Sequence, residues 1–202
     1  KMHACGHDGH STMLLGAAVY LKENNNFAGT VHCIFQPAEE GGGGGRVMVE
    51  EGIFEKFPCD AVYGMHNWPG LAEGKFAVHD HAVMAANETL NITIKGKGGH
   101  AAMPDQCVDP IVIGAQVITA IQSVVSRSVA PLDSAVVSVT MVDAGFVSNV
   151  IPNEMNLTGS LRYFKSEVGE SVKERIKEIA EGICDSMGAK AEFSSVPSYP
   201  AT

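Results

Sequence analysis

Downstream of Asn87 the apolar residues switch back and forth between a two-residue and a 3.6-residue period, and this succession constrains the fold more than any other feature of the chain. Residues 90–94 alternate as a half-buried strand, and residues 110–127 form a long apolar helical stretch. Residues 134–142 and 155–164 read as strands, 167–187 as an amphipathic helix and 189–196 as a last strand. The order is βαββαβ, which predicts a ferredoxin-like domain: an antiparallel sheet with two helices on one face.

Upstream the pattern differs. From Ser11 the residues Met13, Leu14, Ala17, Ala18 and Leu21 follow a 3–4 spacing, which predicts a helix ending near Asn24-Asn25-Asn26. Residues 30–35 form a short β-rich apolar segment, followed by Glu39, Glu40 and the glycines Gly41 to Gly45. A helix is expected over 46–51, and a second strand over 61–65 runs into His66. Strand, helix, strand in that order predicts a parallel α/β sheet, whose ligands gather beyond the carboxyl ends of the strands, where Glu39, Glu40 and His66 fall. The chain is thus read as a mixed α/β protein. Residues 1–86 form part of a metal-binding α/β domain, and 87–202 form the ferredoxin-like domain. Residues 1–9 open on ligand-type side chains with no strand before them, as expected of a chain cut upstream.

Charge and cysteine usage narrow the partners. Fourteen Lys and Arg against 23 Asp and Glu give a formal charge of -9. The cations are scattered, so no basic patch is available to neutralise phosphates and nucleic acid is not an expected partner. Cys5, Cys33, Cys59, Cys107 and Cys184 are odd in number and widely spaced, unlike a disulfide framework, which favours a reducing, cytoplasmic setting. No run of about eighteen apolar residues is seen, so no membrane partner is expected. The glycine run is not a phosphate loop, because Arg46 follows where Lys-Ser or Lys-Thr is required.

Three segments carry ligand-type residues. Cys5 and His7 lie two residues apart, so both can face one ion from an extended loop; thiolate, imidazole and carboxylate together suit Zn²⁺, Mn²⁺, Co²⁺ or Ni²⁺. Glu39-Glu40 is an adjacent carboxylate pair, in which one member can coordinate a metal and the other can accept a proton from water acidified by it. The plainer alternative is a solvated helix start. His66 is either a further ligand or a hydrogen-bonded core histidine.

Together, Met2-His3-Ala4-Cys5-Gly6-His7-Asp8-Gly9-His10, Phe35-Gln36-Pro37-Ala38-Glu39-Glu40, Gly64-Met65-His66-Asn67 and Gly98-Gly99-His100-Ala101-Ala102-Met103-Pro104 resemble the M20 metallopeptidase family. The nearest branch is the amidohydrolases that include hippurate hydrolase, aminoacylases and auxin-conjugate hydrolases. The resemblance implies two divalent metal ions, Zn, Mn, Ni or Co, held by Cys5, His7, Glu40 and His66, with Glu39 as general base. It also implies that residues 87–202 are a lid that mediates homodimerisation. Within that lid His100 would reach the substrate carbonyl, Asn149 would assist it, and Arg162 would grip the substrate carboxylate. Without the resemblance, Arg162 reads equally as a surface ion-pair residue and His100 as an exposed histidine in a glycine-rich turn. Family members are longer and supply a late histidine to the metal site that is not found in these 202 residues. The expected activity is hydrolysis of the amide bond of N-acyl or N-aroyl amino acids. The rival readings are a non-catalytic dimerisation module and a metallo-dipeptidase.

Overall fold

A computed structural model describes residues 4–202, so Met2 and His3 of the first motif lie outside the described residues. The chain divides into two compact units, Lys1–Ala77 and Val78–Thr202.

Among its described residues the first unit contains the α-helices α1 (His7–Glu23), α2 (Gly44–Glu50) and α3 (Ile53–Lys56). Met13, Leu14, Ala18 and Leu21 form the less exposed side of α1. The helix stops at Asn24, whose backbone N–H and side-chain amide both donate to Tyr20 O at 2.9 Å. The parallel sheet expected here is not hydrogen-bonded among the described residues. Residues 30–35 and 61–65 run as irregular chain with every residue exposed. The apolar, β-branched composition of these segments fits a strand, but strand structure exists only where a neighbour accepts the ladder hydrogen bonds, and among the described residues none does so.

The second unit follows the predicted order. Its elements are β1 (Ala86–Lys95), β2 (Gly99–His100), α4 (Pro110–Ser128), β3 (Ala135–Ala144), β4 (Val150–Ile151), β5 (Glu154–Tyr163), α5 (Ser166–Ser186) and β6 (Lys190–Tyr199). Four strands form one antiparallel sheet in the order β3-β5-β1-β6. On one face Leu90, Ile92 and Ile94 of β1 and Met155, Leu157 and Leu161 of β5 alternate inward. They pack against Ile113, Val117, Ile121 and Val124 of α4 and Val172, Ile176 and Ala180 of α5. The two-residue period of the strands and the 3–4 spacing of the helices therefore meet in one core.

The other face is polar. Asn87, Thr89, Asn91 and Thr93 on β1 lie directly opposite Arg162, Ser160, Thr158 and Asn156 on β5. Thr93 Oγ1 donates to Asn156 Oδ1 at 2.8 Å, and Thr158 Oγ1 to Asn91 Oδ1 at 3.3 Å, which satisfies these half-buried groups across the strands. Two irregularities bend the sheet: a bulge in β3 between Val139 and Met141, and one in β6 opposite the Asn87/Glu88 step. Gly159 faces the first of these, and any side chain there would meet Ser138 O at 2.5 Å.

Two details depart from the sequence reading. The β2–β4 ladder, Gly99 opposite Ile151 and His100 opposite Val150, was not expected, because two-residue strands carry no readable period. And α4, read as too short in apolar run for a bilayer, is long and apolar enough by length and composition to cross one. Its apolar side nevertheless packs on the sheet, leaving Gln116, Thr119, Gln122 and Ser126 on the outer side.

Candidate metal centre

Backbone shape brings the ligand-type residues together in the first unit. Cys5 lies in a 3-10 turn, Ala4–Gly6, and His7 is the first residue of α1, so the expected extended loop is in fact a turn entering a helix. The reason is two successive left-handed residues, Cys5 at φ 49° and Gly6 at φ 82°. For cysteine this conformation is strained, and such strain collects at functional sites. Gly6 is also a packing requirement: an added Cβ would lie 2.4 Å from the Asn67 side-chain nitrogen.

Glu39 and Glu40 sit on a turn that follows Ala38, a second non-glycine residue with positive φ, at 51°. Gly42 N–H donates to Ala38 O at 3.0 Å and Gly41 N–H to Glu39 O at 2.7 Å, so the glycine run folds straight back on the carboxylate loop. An added Cβ on Gly44 would lie 1.8 Å from Pro37 O, a backbone atom that cannot yield. The run is thus a tight return into α2, which periodicity alone does not disclose.

The ligand atoms of Cys5, His7 and Glu40 all lie within 4.8 Å of one another. His66 Nε2 is 3.7 Å from Cys5 Sγ. His7 Nε2 is 3.3 Å from Glu39 and 3.8 Å from Glu40, so both carboxylates of the pair adjoin the cluster. His66 Nδ1 donates to Asn67 O at 2.6 Å, which holds the proton on Nδ1 and leaves the Nε2 lone pair facing the thiol. The donor set of one thiolate, two imidazoles and carboxylates, converging from three segments, fits a divalent ion of borderline softness. Two neighbours that were not singled out from sequence also belong to this cluster. His10 packs its ring on His66 with centroids 4.2 Å apart, and Asn67 N–H donates to His10 Nε2 at 3.2 Å. Both fall inside the quoted motifs, where His10 lies one helical turn after His7.

The remaining predicted residues are in the second unit. His100 is exposed on β2, and its Nδ1 accepts from Ala102 N–H at 3.1 Å, so a neutral ring carries its proton on Nε2 as an outward donor. Asn149 is exposed and is tied to this ladder through Ala101 N–H, which donates to Asn149 O at 3.0 Å. Arg162 is half-buried on the polar sheet face, where Nη1 donates to Asn87 Oδ1, to Ser160 Oγ at 2.6 Å and to Leu161 O at 3.3 Å. A surface ion pair is therefore not its arrangement; its partners are neutral. An open groove of about 440 Å³ beside the β2–β4 ladder, lined in part by Gly99, Phe146, Asn153 and Asn156, contains none of the three.

The sequence profile described as Peptidase family M20/M25/M40 matches residues 1–195. The chain belongs to this family. It is similar to an N-acetylcysteine deacetylase of Bacillus subtilis (strain 168), 43% identical over 201 residues, covering 99% of this chain and 52% of that protein. It is also similar to a hippurate hydrolase of Campylobacter jejuni, 42% identical over 201 residues, covering 100% of this chain and 52% of that protein. Among solved structures, the YXEP protein of Bacillus subtilis, described as a dinuclear metal binding peptidase from the M20 family, matches with a TM-score of 0.80 at 38% identity. That match covers 100% of this chain and 50% of the other. The chain spans about half the length of these relatives.

Proposed function

We propose that this M20 chain serves metal-dependent hydrolysis of the amide bond of N-acyl or N-aroyl amino acids. The observation that carries the reading is the convergence of Cys5, His7, Glu40 and His66, with Glu39 alongside. Relatives named for hippurate and N-acetylcysteine support the substrate class. Cys5, His7, Glu40 and His66 would hold the two divalent ions, which supply polarisation of the amide carbonyl and acidification of water. Glu39 takes the proton of the attacking water and passes it to the leaving amine. His100 donates its Nε2 proton as a hydrogen bond to the carbonyl oxygen as it gains charge, with Asn149 assisting. Arg162 holds the substrate's free carboxylate with the guanidinium edge that the protein leaves available. Residues 87–202 act as the lid and the homodimer contact. The outer sides of the edge strands β3 and β6 carry no further strand among the described residues, which supports that assignment.

Glu39→Gln tests the reading. In the protein that carries this sequence, hydrolysis of N-benzoyl- and N-acetyl-amino acids is expected to fall by about 10²–10⁴-fold while metal content stays at the wild-type level. Retained turnover removes Glu39 from its role. Dipeptides, assayed in parallel, are expected to be poorer substrates than acylated amino acids, and the reverse order would make the protein a dipeptidase.

A further inference from the structure

Arg162, half-buried on the polar sheet face, is held by neutral partners. Its Nη1 is shared among three oxygens, Asn87 Oδ1, Ser160 Oγ and Leu161 O, and none of these is a carboxylate. Among the described residues no hydrogen-bond partner is found for Nη2 or Nε. One corner of the planar guanidinium is therefore clamped, and the adjoining edge, with its full positive charge, is left to donate elsewhere.

The clamp follows from strand register. Asn87 on β1 lies directly opposite Arg162 on β5, and Ser160 precedes Arg162 by two residues, so all three share the polar face. Their chain neighbours Glu88 and Tyr163 point to the helix face, where Tyr163 Oη donates to Glu88 Oε1 at 2.6 Å and Lys173 Nζ reaches both carboxylate oxygens at 3.1 and 3.2 Å. Locking each neighbour on the reverse face fixes the backbone under Asn87 and Arg162. The bulge in β6 falls at this same step, opposite Asn87/Glu88.

We propose that Asn87 and Ser160 are positioning residues for Arg162: they fix the guanidinium with neutral oxygens so that its remaining edge meets a substrate carboxylate at full charge. This rests on the carboxylate role proposed for Arg162. An aspartate in place of Asn87 would reach the same nitrogen but neutralise it, and an alanine would release it. Serine at 160 contributes only a hydroxyl, which threonine also supplies.

The test compares N-benzoylglycine with N-methylbenzamide, the same amide without the carboxylate, in wild type and in Asn87→Asp, Asn87→Ala, Ser160→Ala, Ser160→Thr and Arg162→Met. For the acid, KM is expected to rise about tenfold or more in Asn87→Asp and several-fold in Asn87→Ala and Ser160→Ala, with kcat changed far less. Ser160→Thr is expected to restore the wild-type value. For the neutral amide the Asn87 and Ser160 variants are expected to leave kcat/KM within about twofold of wild type. Equal losses on both substrates would mean a merely structural role and overturn the proposal. So would an unchanged KM in Asn87→Asp while Arg162→Met loses the preference for the acid. If Arg162→Met keeps that preference, the carboxylate role of Arg162 fails instead. A thermal melt of each variant identifies misfolding, and the isosteric Asn87→Asp and Ser160→Thr keep the comparison interpretable.

Discussion

Single side chains set the chemistry of the first unit. Trp68 is the only tryptophan of the chain, and its ring centroid lies 6.1 Å from that of His66. Its emission should therefore report occupancy of the cluster. Titration with Co²⁺ or Ni²⁺ is expected to quench it, a chelator to restore it, and Cys5→Ser or His66→Ala to shift the titration to higher metal concentration. A fluorescence trace unaffected by either metal would argue against binding beside His66. The four ligand-type residues were legible because residue type and motif order are written in the sequence. Asn87 and Ser160 were not, because an asparagine and a serine on a strand have no signature until the register sets them against Arg162. The left-handed turn at Cys5 was also hidden, since cysteine is not a residue that announces positive φ.

At the scale of elements, β1 and α5 are joined by a buried charged contact. Glu88 is 2% exposed and receives Tyr163 and Lys173. Burial pushes the Glu88 carboxyl upward, but hydrogen bonds from Tyr163, Lys173 and Ser195 and the Lys173 charge outweigh it and leave the pKa below the ordinary 4.5. Burial and the Glu88 carboxylate push Tyr163 from 10.0 up to about 12. Burial lowers Lys173, but hydrogen bonds to Glu170 and Glu88 and their charges prevail and raise it above 10.5. The sign follows for each group. Glu88 contributes stability that is complete above its unfolded pKa and lost as pH falls through the lowered folded value. Tyr163 and Lys173 contribute stability that is complete below their unfolded values and lost as pH rises through the raised ones, for Tyr163 near 12. Urea midpoints measured against pH should form a plateau between about 5 and 10, with an acid limb that Glu88→Gln flattens. Lys173→Met, which strands the carboxylate, is expected to cost about 3 kcal/mol near neutral pH. An unchanged midpoint would show that Tyr163 and Ser195 satisfy Glu88 without it. The elements themselves were well foreseen where they share a core. Residues 90–94, 110–127 and 155–164 were each read within a few residues of β1, α4 and β5, because one-sided burial imposes the period. Residues 30–35 and 61–65 carry the composition of strands, but composition does not supply a partner, and pairing is what makes a strand.

For the molecule as a whole, burial is uneven. The core of aliphatic side chains lies in the second unit, whereas α1 buries no residue and Val31, Phe35, Val62, Tyr63 and Met65 of the first unit are exposed. Amide hydrogen exchange should follow that division. Protection is expected to be strongest in β1, β5, α4 and α5 and weakest over residues 24–43 and 57–77, and equal protection in both units would contradict it. The second unit also closes on itself: Val83 and Met84 N–H donate to Thr202 O at 2.7 and 2.8 Å, and Thr202 N–H returns to Met84 O at 2.9 Å. The stretches that enter β1 and leave β6 are thus pinned to each other by their own backbone groups, so loosening Met84 would free Thr202 with it.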